Sequence, residues 1–268
     1  MSKINDIDMK KWKEYEDILS DSLWIINDRD SSGKHKGDYH GNFIPQIPYQ
    51  MMSRYTKKGE WVLDAFLGSG TTLIEAKKLG RNGIGIDIDG DILEVAKIRA
   101  EEQEGEAKLE FISADSSSVD IKPVLEKNSI EKVQFMIYHP PYWDIIKFND
   151  KKGNLALEDT LTGFVDKFSE VIDNTTKFLE DERYLAIVIG DIYKKSQWVP
   201  LNSYLIQLMI AKGFILKSTI VKNMGETRAK QEQKAIWRYR SLAGGFYVFA
   251  HEYILVFKKP KAKRQKLK

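Results

Sequence analysis

The chain of 268 residues contains no cysteine. That absence excludes disulfide bonds, thiolate metal sites and cysteine nucleophiles. Long apolar runs are missing as well: none approaches the ~18 residues of a membrane-spanning helix. The N-terminal stretch "MSKINDIDMKKWKEYED" is polar and lacks a signal-like apolar region. A cytoplasmic location and no membrane partner are the expectations that follow. Histidine is scarce, with four residues, and His35, His40 and His251 lack the spacing of metal ligands, so they read as structural or facing a polyanion and no metal site is expected.

Charge of one sign is scarce at one end. From Lys222 to Lys268 there are 13 Lys and Arg against three acids, a local net of +10 that leaves −7 for the remainder of a chain whose total is +3. Such an asymmetry suits a polyanion-binding surface. The last residues, 260–268, read as a solvated basic tail. Upstream, "RAKQEQKAIWRYRSLAGGFYVF" interleaves aromatics with Arg228, Lys230, Lys234, Trp237, Arg238 and Arg240, which allows phosphate contact and base packing together.

What the chain has in quantity is alternation. Apolar runs of strand length occur at 60–66, 82–88, 109–115, 133–139, 184–191, 215–223 and 252–259. Between them, three-and-four spacing predicts helices near 71–79, 91–103, 160–179 and 200–212, the third carrying Phe164, Phe168, Val171 and Ile172 on one face. Strand and helix in alternation imply one α/β domain built on a mostly parallel sheet covered on both faces. Residues 9–23, with Met9, Trp12, Ile18, Leu19 and Leu23, read as a leading amphipathic helix, giving residues 1–34 as a helical N-terminal extension.

In such sheets ligands sit at the carboxyl ends of the strands. After the first strand comes "DAFLGSGTT", residues 64–72, in which Gly68 and Gly70 allow a sharp turn and Thr71 and Thr72 open a helix. After the second comes Asp87, a carboxylate suited to a ribose diol, and after the third Asp115. After the fourth comes "HPPYW", residues 139–143. A phosphate loop requires Gly-Lys-Ser/Thr, and "GSGTT" has no lysine; a nicotinamide site prefers Gly-x-Gly-x-x-Gly, where this chain has Thr72 and Leu73.

The pair "DAFLGSGTT" and "HPPYW" resembles the S-adenosylmethionine-dependent amino-methyltransferases that act on exocyclic amino groups of DNA bases, over roughly residues 35–259. The resemblance implies a Rossmann-like class I methyltransferase, a seven-stranded mostly parallel sheet with helices on both faces, and S-adenosyl-L-methionine as cofactor. It implies that Asp64, Phe66, Gly68, Ser69, Gly70, Thr71 and Thr72 form the methionine-binding loop, with Asp87 on the cofactor ribose, Ile88 on its adenine and Asp115 facing the adenine amino group. The stretch "YHGNFIPQIPYQMMSRYT", residues 39–56, resembles the family's flanking motif, placing Phe43, Pro45 and Gln46 near the methionine end.

The resemblance also assigns the chemistry. An exocyclic aromatic amine is a poor nucleophile because its lone pair is delocalised, so the enzyme accepts hydrogen bonds from its N–H groups and orients the lone pair. His139 and the carbonyl of Pro140 take that role, Pro140 and Pro141 make the backbone rigid, and Tyr142 stacks on a base rotated out of the duplex. Here the chain departs from the family pattern, since His139 stands where Asp, Asn or Ser is commonest. Neutral imidazole has one acceptor nitrogen, which protonation would abolish. Trp143, read as DNA-binding, resembles Ser-Pro-Pro-Tyr-Trp enzymes and points to cytosine N4; adenine N6, an RNA or protein amide substrate, and a binder without catalysis stay open. Double-stranded DNA is the implied partner, recognised through residues 222–251 or the polar loop 28–41, with a paired restriction endonuclease or a homodimer as further partners.

Overall fold

The computed structural model describes residues 3–39, 41–143, 151, 153–224 and 228–261, and for residues 228–234 the backbone alone. His40, residues 262–268 of the basic tail and the side chains of Arg228, Lys230 and Lys234 therefore lie outside the described residues.

In chain order the elements are β1 (Leu23–Trp24), α1 (Gln46–Tyr55), β2 (Trp61–Asp64), α2 (Thr71–Lys78), β3 (Asn82–Asp87), α3 (Gly90–Glu102), β4 (Leu109–Ser113), α4 (Lys122–Lys127), β5 (Val133–Tyr138), α5 (Leu161–Thr176), β6 (Leu179–Ile189), β7 (Ile192–Lys194), β8 (Gln197–Val199), α6 (Leu201–Ala211), β9 (Ile215–Asn223), α7 (Arg228–Gly244) and β10 (His251–Lys258). The main sheet has eight strands in the order β1-β9-β10-β6-β5-β2-β3-β4. Strand β10 runs antiparallel to β9 and β6, and the other pairs are parallel. The seven expected strands are all present; the eighth, β1, adds two residues to the edge beside β9.

The β5 segment VQFMIY shows why these runs are strands. Phe135 and Ile137 enter a cluster with Val62, Val188 and Met51 of α1, whereas Met136 and Tyr138 enter another with Phe164 and Phe168 of α5. Consecutive residues point to opposite faces, so a strand covered on both sides needs an unbroken apolar run. Each fully buried side chain of this size contributes about 2 kcal/mol of transfer free energy. Helix α5 starts where the Thr160 side chain accepts from the Gly163 N–H at 3.0 Å.

One element predicted from spacing does not form. Residues Met9–Glu14 make a short 3₁₀ turn with no buried residue, and Met9 and Trp12 are 72% and 60% exposed. The chain from 17 to 19 is held instead by α1: Gln50 accepts from the Leu19 N–H at 2.9 Å and donates to the Asp17 carbonyl, while Arg54 donates to the Leu19 carbonyl. Side chains that satisfy backbone groups in this way replace the ladder a helix would supply. Four further elements went unread in the sequence: α1, α4, α7 and the β7–β8 hairpin.

The parallel order reverses between β2 and β5, with β3 and β4 on one side and β6 on the other. The carboxyl ends of β2, β3, β5 and β6 therefore open a crevice between them. Because β10 is antiparallel, its first residues return to the same end, with Glu252 directly opposite Lys222 of β9. Among the described residues no helix is long and apolar enough to cross a membrane.

Candidate active site

The crevice is a cavity of about 1140 Å³. At one end the segment after β2 turns into α2. Gly70 caps α2 at φ 94° and Gly68 sits at φ 53°, the left-handed region that disfavours a side chain. The Gly68 N–H donates to Asp87 Oδ2 at 2.7 Å, and the Asp89 N–H donates to Oδ1 at 2.9 Å. Burial raises the Asp87 carboxyl above its ordinary pKa, and the two backbone N–H groups oppose that shift. Phe66, Gly68, Thr71, Asp87, Ile88 and Asp115 all line the cavity.

Several expected loop residues act from behind this wall. Asp64 is buried, accepts from the Phe66 N–H at 2.9 Å and from the Thr72 hydroxyl, and is raised to about 7, chiefly by burial. Ser69 is buried and donates to Asn42 at 2.8 Å. Gln46 bonds the backbone of Asp28 and Asp30, and Pro45 precedes α1. Asp64, Ser69, Gly70, Thr72, Pro45 and Gln46 thus shape the loop and its neighbour without lining the cavity, whereas Phe43 does line it.

Tyr39, Gly153, Asn154 and Leu155 are among the cavity residues that carried no signal of their own in the sequence. Tyr39 lies 3.2 Å from where a Cβ on Gly68 would stand, and burial together with Asp87 and Asp89 raises its phenol to about 12. Gly153 lies against the Asp115 carboxylate, and Asn154 and Leu155 beside it line the cavity. Asp115 accepts from the Ser117 N–H at 2.8 Å and pairs with Lys167 of α5 at 3.3 Å.

At the other end stands the segment that follows β5. The His139 ring packs against Phe43 at 4.9 Å between centroids, and its Nε2 lies 3.3 Å from the Tyr142 hydroxyl. Tyr142 donates to Glu252 Oε2 at 3.0 Å, and Lys222 donates to Glu252 Oε1 at 2.8 Å. Lys222 and Glu252 are both buried. Removal from water lowers the His139 imidazole to about 4, the Glu252 charge opposing and Lys222 assisting. Burial and Glu252 raise the Tyr142 phenol well above its usual value. At neutral pH the cavity therefore presents neutral imidazole and neutral phenol.

Trp143 does not reach this cavity. Its ring is 7% exposed, its indole N–H donates to the Glu158 carbonyl at 2.6 Å, and the Lys194 ammonium sits 3.9 Å from its centroid. It packs beneath the segment that holds His139 and Tyr142 rather than offering a DNA-facing surface. His35 is likewise interior, 2.7 Å from Glu75, and His251 contacts Tyr253 at 2.9 Å.

Helix α7 overhangs the cavity, to which it contributes Trp237 and Arg238. Arg240 lies over the Trp237 ring at 5.3 Å. Phe246 stacked on Tyr193 and Phe249 tilted against Trp198, each at 4.2 Å between centroids, clip the segment after α7 to the β7–β8 hairpin. From Ala235 to Arg240 every residue of α7 is exposed.

A carboxylate beside a glycine turn, an apolar wall and a second carboxylate fit a nucleoside cofactor; a neutral acceptor flanked by prolines and a tyrosine lies in the same cavity. Fold and site together define a Rossmann-like methyltransferase. The chain belongs to the DNA methylase family that modifies N6 and N4 amino groups, whose model matches residues 3–98 and 133–268 and whose cofactor is S-adenosylmethionine. It is 36% identical over 87 residues to the type II methyltransferase M.MjaII of Methanocaldococcus jannaschii, covering 30% of this chain and 16% of that protein. It is 34% identical over 105 residues to the type II methyltransferase M2.DpnII of Streptococcus pneumoniae, covering 38% and 34%. The alignments thus span about a sixth and a third of those relatives' lengths. Among solved structures YjhP of E. coli is similar in fold, with a TM-score of 0.53 and 14% identity over 84% of this chain and 96% of that one.

Proposed function

We propose that this protein transfers a methyl group from S-adenosylmethionine to the exocyclic amino group of a DNA base, cytosine N4 in first place. The observation that carries this reading is the neutral His139 acceptor in one cavity with Asp87 and the glycine turn.

When bound, S-adenosylmethionine would supply a methyl carried on sulfonium, the C–S electron pair returning to sulfur as the amine lone pair forms the N–C bond. Asp87 would hold the ribose hydroxyls, Ile88 would pack on the adenine, Asp115 would accept from its amino group, and Phe66 with the glycine turn would hold the methionine end. His139 and the Pro140 carbonyl accept the N–H groups of the target amine, and the proton lost on transfer leaves through His139. Tyr142 faces the base, which is rotated out because its amino group is otherwise paired. Arg238 and Arg240 contact phosphates and Trp237 packs on bases or sugars beside the cavity. The motif Pro-Pro-Tyr-Trp supports cytosine over adenine. Double-stranded DNA is the partner in this reading, residues 222–251 form the recognition insert, and a restriction endonuclease or a second copy completes the system in the cytoplasm.

The test uses labelled S-adenosylmethionine with unmethylated genomic DNA, RNA in parallel, digestion to nucleosides and separation by chromatography and mass. N4-methylcytosine is expected. N6-methyladenine would overturn the choice of base, labelled RNA alone would overturn DNA as substrate, and cofactor binding without transfer would reduce the chain to a nucleic-acid binder.

A further inference from the structure

The polar groups around His139 form a directed chain, and its direction can be read from donor and acceptor counts. Lys222 can only donate, and its ammonium reaches Glu252 Oε1 at 2.8 Å and the Asn223 carbonyl at 2.7 Å. Glu252 as a carboxylate can only accept. Its Oε2 takes the Tyr142 hydroxyl proton at 3.0 Å. A phenol has one proton, so toward His139 Nε2, at 3.3 Å, the Tyr142 oxygen can only accept. Nε2 must then carry the hydrogen.

We propose that Lys222, Glu252 and Tyr142 are a relay that fixes His139 as its Nε2–H tautomer, leaving the Nδ1 lone pair as the acceptor for the target amine. This inference rests on the reading of His139 as the group that meets the substrate. Glu252 and Lys222 are positioning residues in this scheme, since neither needs to touch the base.

The fold supports the arrangement at three points. The antiparallel register sets Glu252 opposite Lys222, so the charged pair is fixed by strand pairing rather than by flexible loops. Its burial within the protein is costly for two ions unless each is compensated, and here every contact of the pair is a donor meeting an acceptor. Gly190 leaves the room that the Tyr142 ring occupies: a Cβ there would stand 2.7 Å from Cε2. The groups facing the His139 ring are Phe43 from the segment before α1, Tyr142 from its own segment, Lys222 from β9 and Glu252 from β10. Burial keeps the imidazole neutral and the phenol protonated, the two states the relay requires.

With four histidines in the chain, ¹⁵N-histidine labelling resolves the tautomer directly. The His139 signals are assigned by their loss in His139→Asn. At pH 7 the wild type is expected to show protonated Nε2 and unprotonated Nδ1. In Glu252→Gln the amide oxygen turns to Lys222 and its NH₂ donates to Tyr142; the phenol then donates to Nε2, and the tautomer switches to Nδ1–H. Methyl transfer to genomic DNA in that variant should fall in kcat by about 10- to 100-fold with KM for S-adenosylmethionine unchanged. Tyr142→Phe, which keeps the ring, should give a mixture of tautomers and so covers the case in which Glu252→Gln does not fold. A wild-type Nδ1–H form, an unchanged pattern in Glu252→Gln, or a single Nε2–H form in Tyr142→Phe would each overturn the relay. The expected tautomers in a wild type that transfers no methyl to any nucleic acid would instead overturn the proposed function and leave the relay standing.

Discussion

Gly70 is where backbone conformation and packing act together on the cofactor loop, and Gly70→Ala separates them. A residue other than glycine at φ 94° costs about 1 kcal/mol or somewhat more through its left-handed backbone. The added methyl also meets α3, with Ala96 Cβ at 3.0 Å, Cα at 3.1 Å and its carbonyl at 3.2 Å. Two of those three atoms are backbone, so relief requires a shift of α3 or of the loop, typically costing about 1–3 kcal/mol. Gly59 supplies the control: it lies at φ 78° with nothing within 4 Å of a Cβ. Gly59→Ala should therefore lose about 1 kcal/mol in urea unfolding, and Gly70→Ala about 2–5 kcal/mol. At roughly 2–4 °C per kcal/mol for a chain of this size, Tm should fall by about 2–4 °C in Gly59→Ala and about 4–20 °C in Gly70→Ala. A displaced loop also moves Gly68 and Thr71, so binding of S-adenosylhomocysteine by calorimetry should weaken about tenfold in Gly70→Ala alone, some 1.4 kcal/mol. Equal stability of the two variants would show that α3 yields freely and would refute the packing half of the reasoning.

Asp87→Ala removes the acceptor of two backbone N–H groups as well as the proposed ribose contact. S-adenosylhomocysteine affinity should drop by about 10- to 100-fold, equivalent to ~1.4–2.8 kcal/mol, and an unchanged dissociation constant would remove the residue from the cofactor site. His139, lowered to about 4, should show no protonation in an NMR titration between pH 8 and about pH 5, and a midpoint near the ordinary ~6.5 would contradict its burial. The sign for stability follows: from about pH 6.5 down to 4 the unfolded chain binds a proton that the folded chain refuses, so this residue's contribution is complete above 6.5 and is lost as pH falls. His139→Gln should flatten that part of the stability profile. Arg238→Ala should weaken binding to duplex DNA and reduce the salt slope by about one; an unaltered slope would take Arg238 off the DNA-contacting surface.

The sequence by itself determined the scaffold. Continuous apolar runs such as VQFMIY have no stable place except between two covered faces, and Phe164, Phe168, Val171 and Ile172 at helical spacing do form the buried stripe of α5. Since strand ends in such a sheet converge, placing Asp87, Asp115 and His139 after successive strands was enough to put them in one cavity. Local patterning also misled where the deciding partners were remote. Met9 and Trp12 fit a helical stripe, but the backbone of residues 17–19 is held by Gln50 and Arg54 of α1. Trp143 read as DNA-binding, yet a hydrogen bond from its indole and a packed interior bury it.

Only the tertiary structure decided what surrounds His139. Lys222 and Glu252 are thirty positions apart, separated by α7, and nothing in their local sequence marks either as part of a site. The antiparallel return of β10 brings them together beneath Tyr142, and their hydrogen bonds set the direction of the chain that ends on the imidazole. Residue type and strand-end position are local properties that a sequence carries. Burial, the pKa shifts that follow from it and the orientation of a proton depend on atoms contributed by distant strands, and these exist only once the sheet has closed.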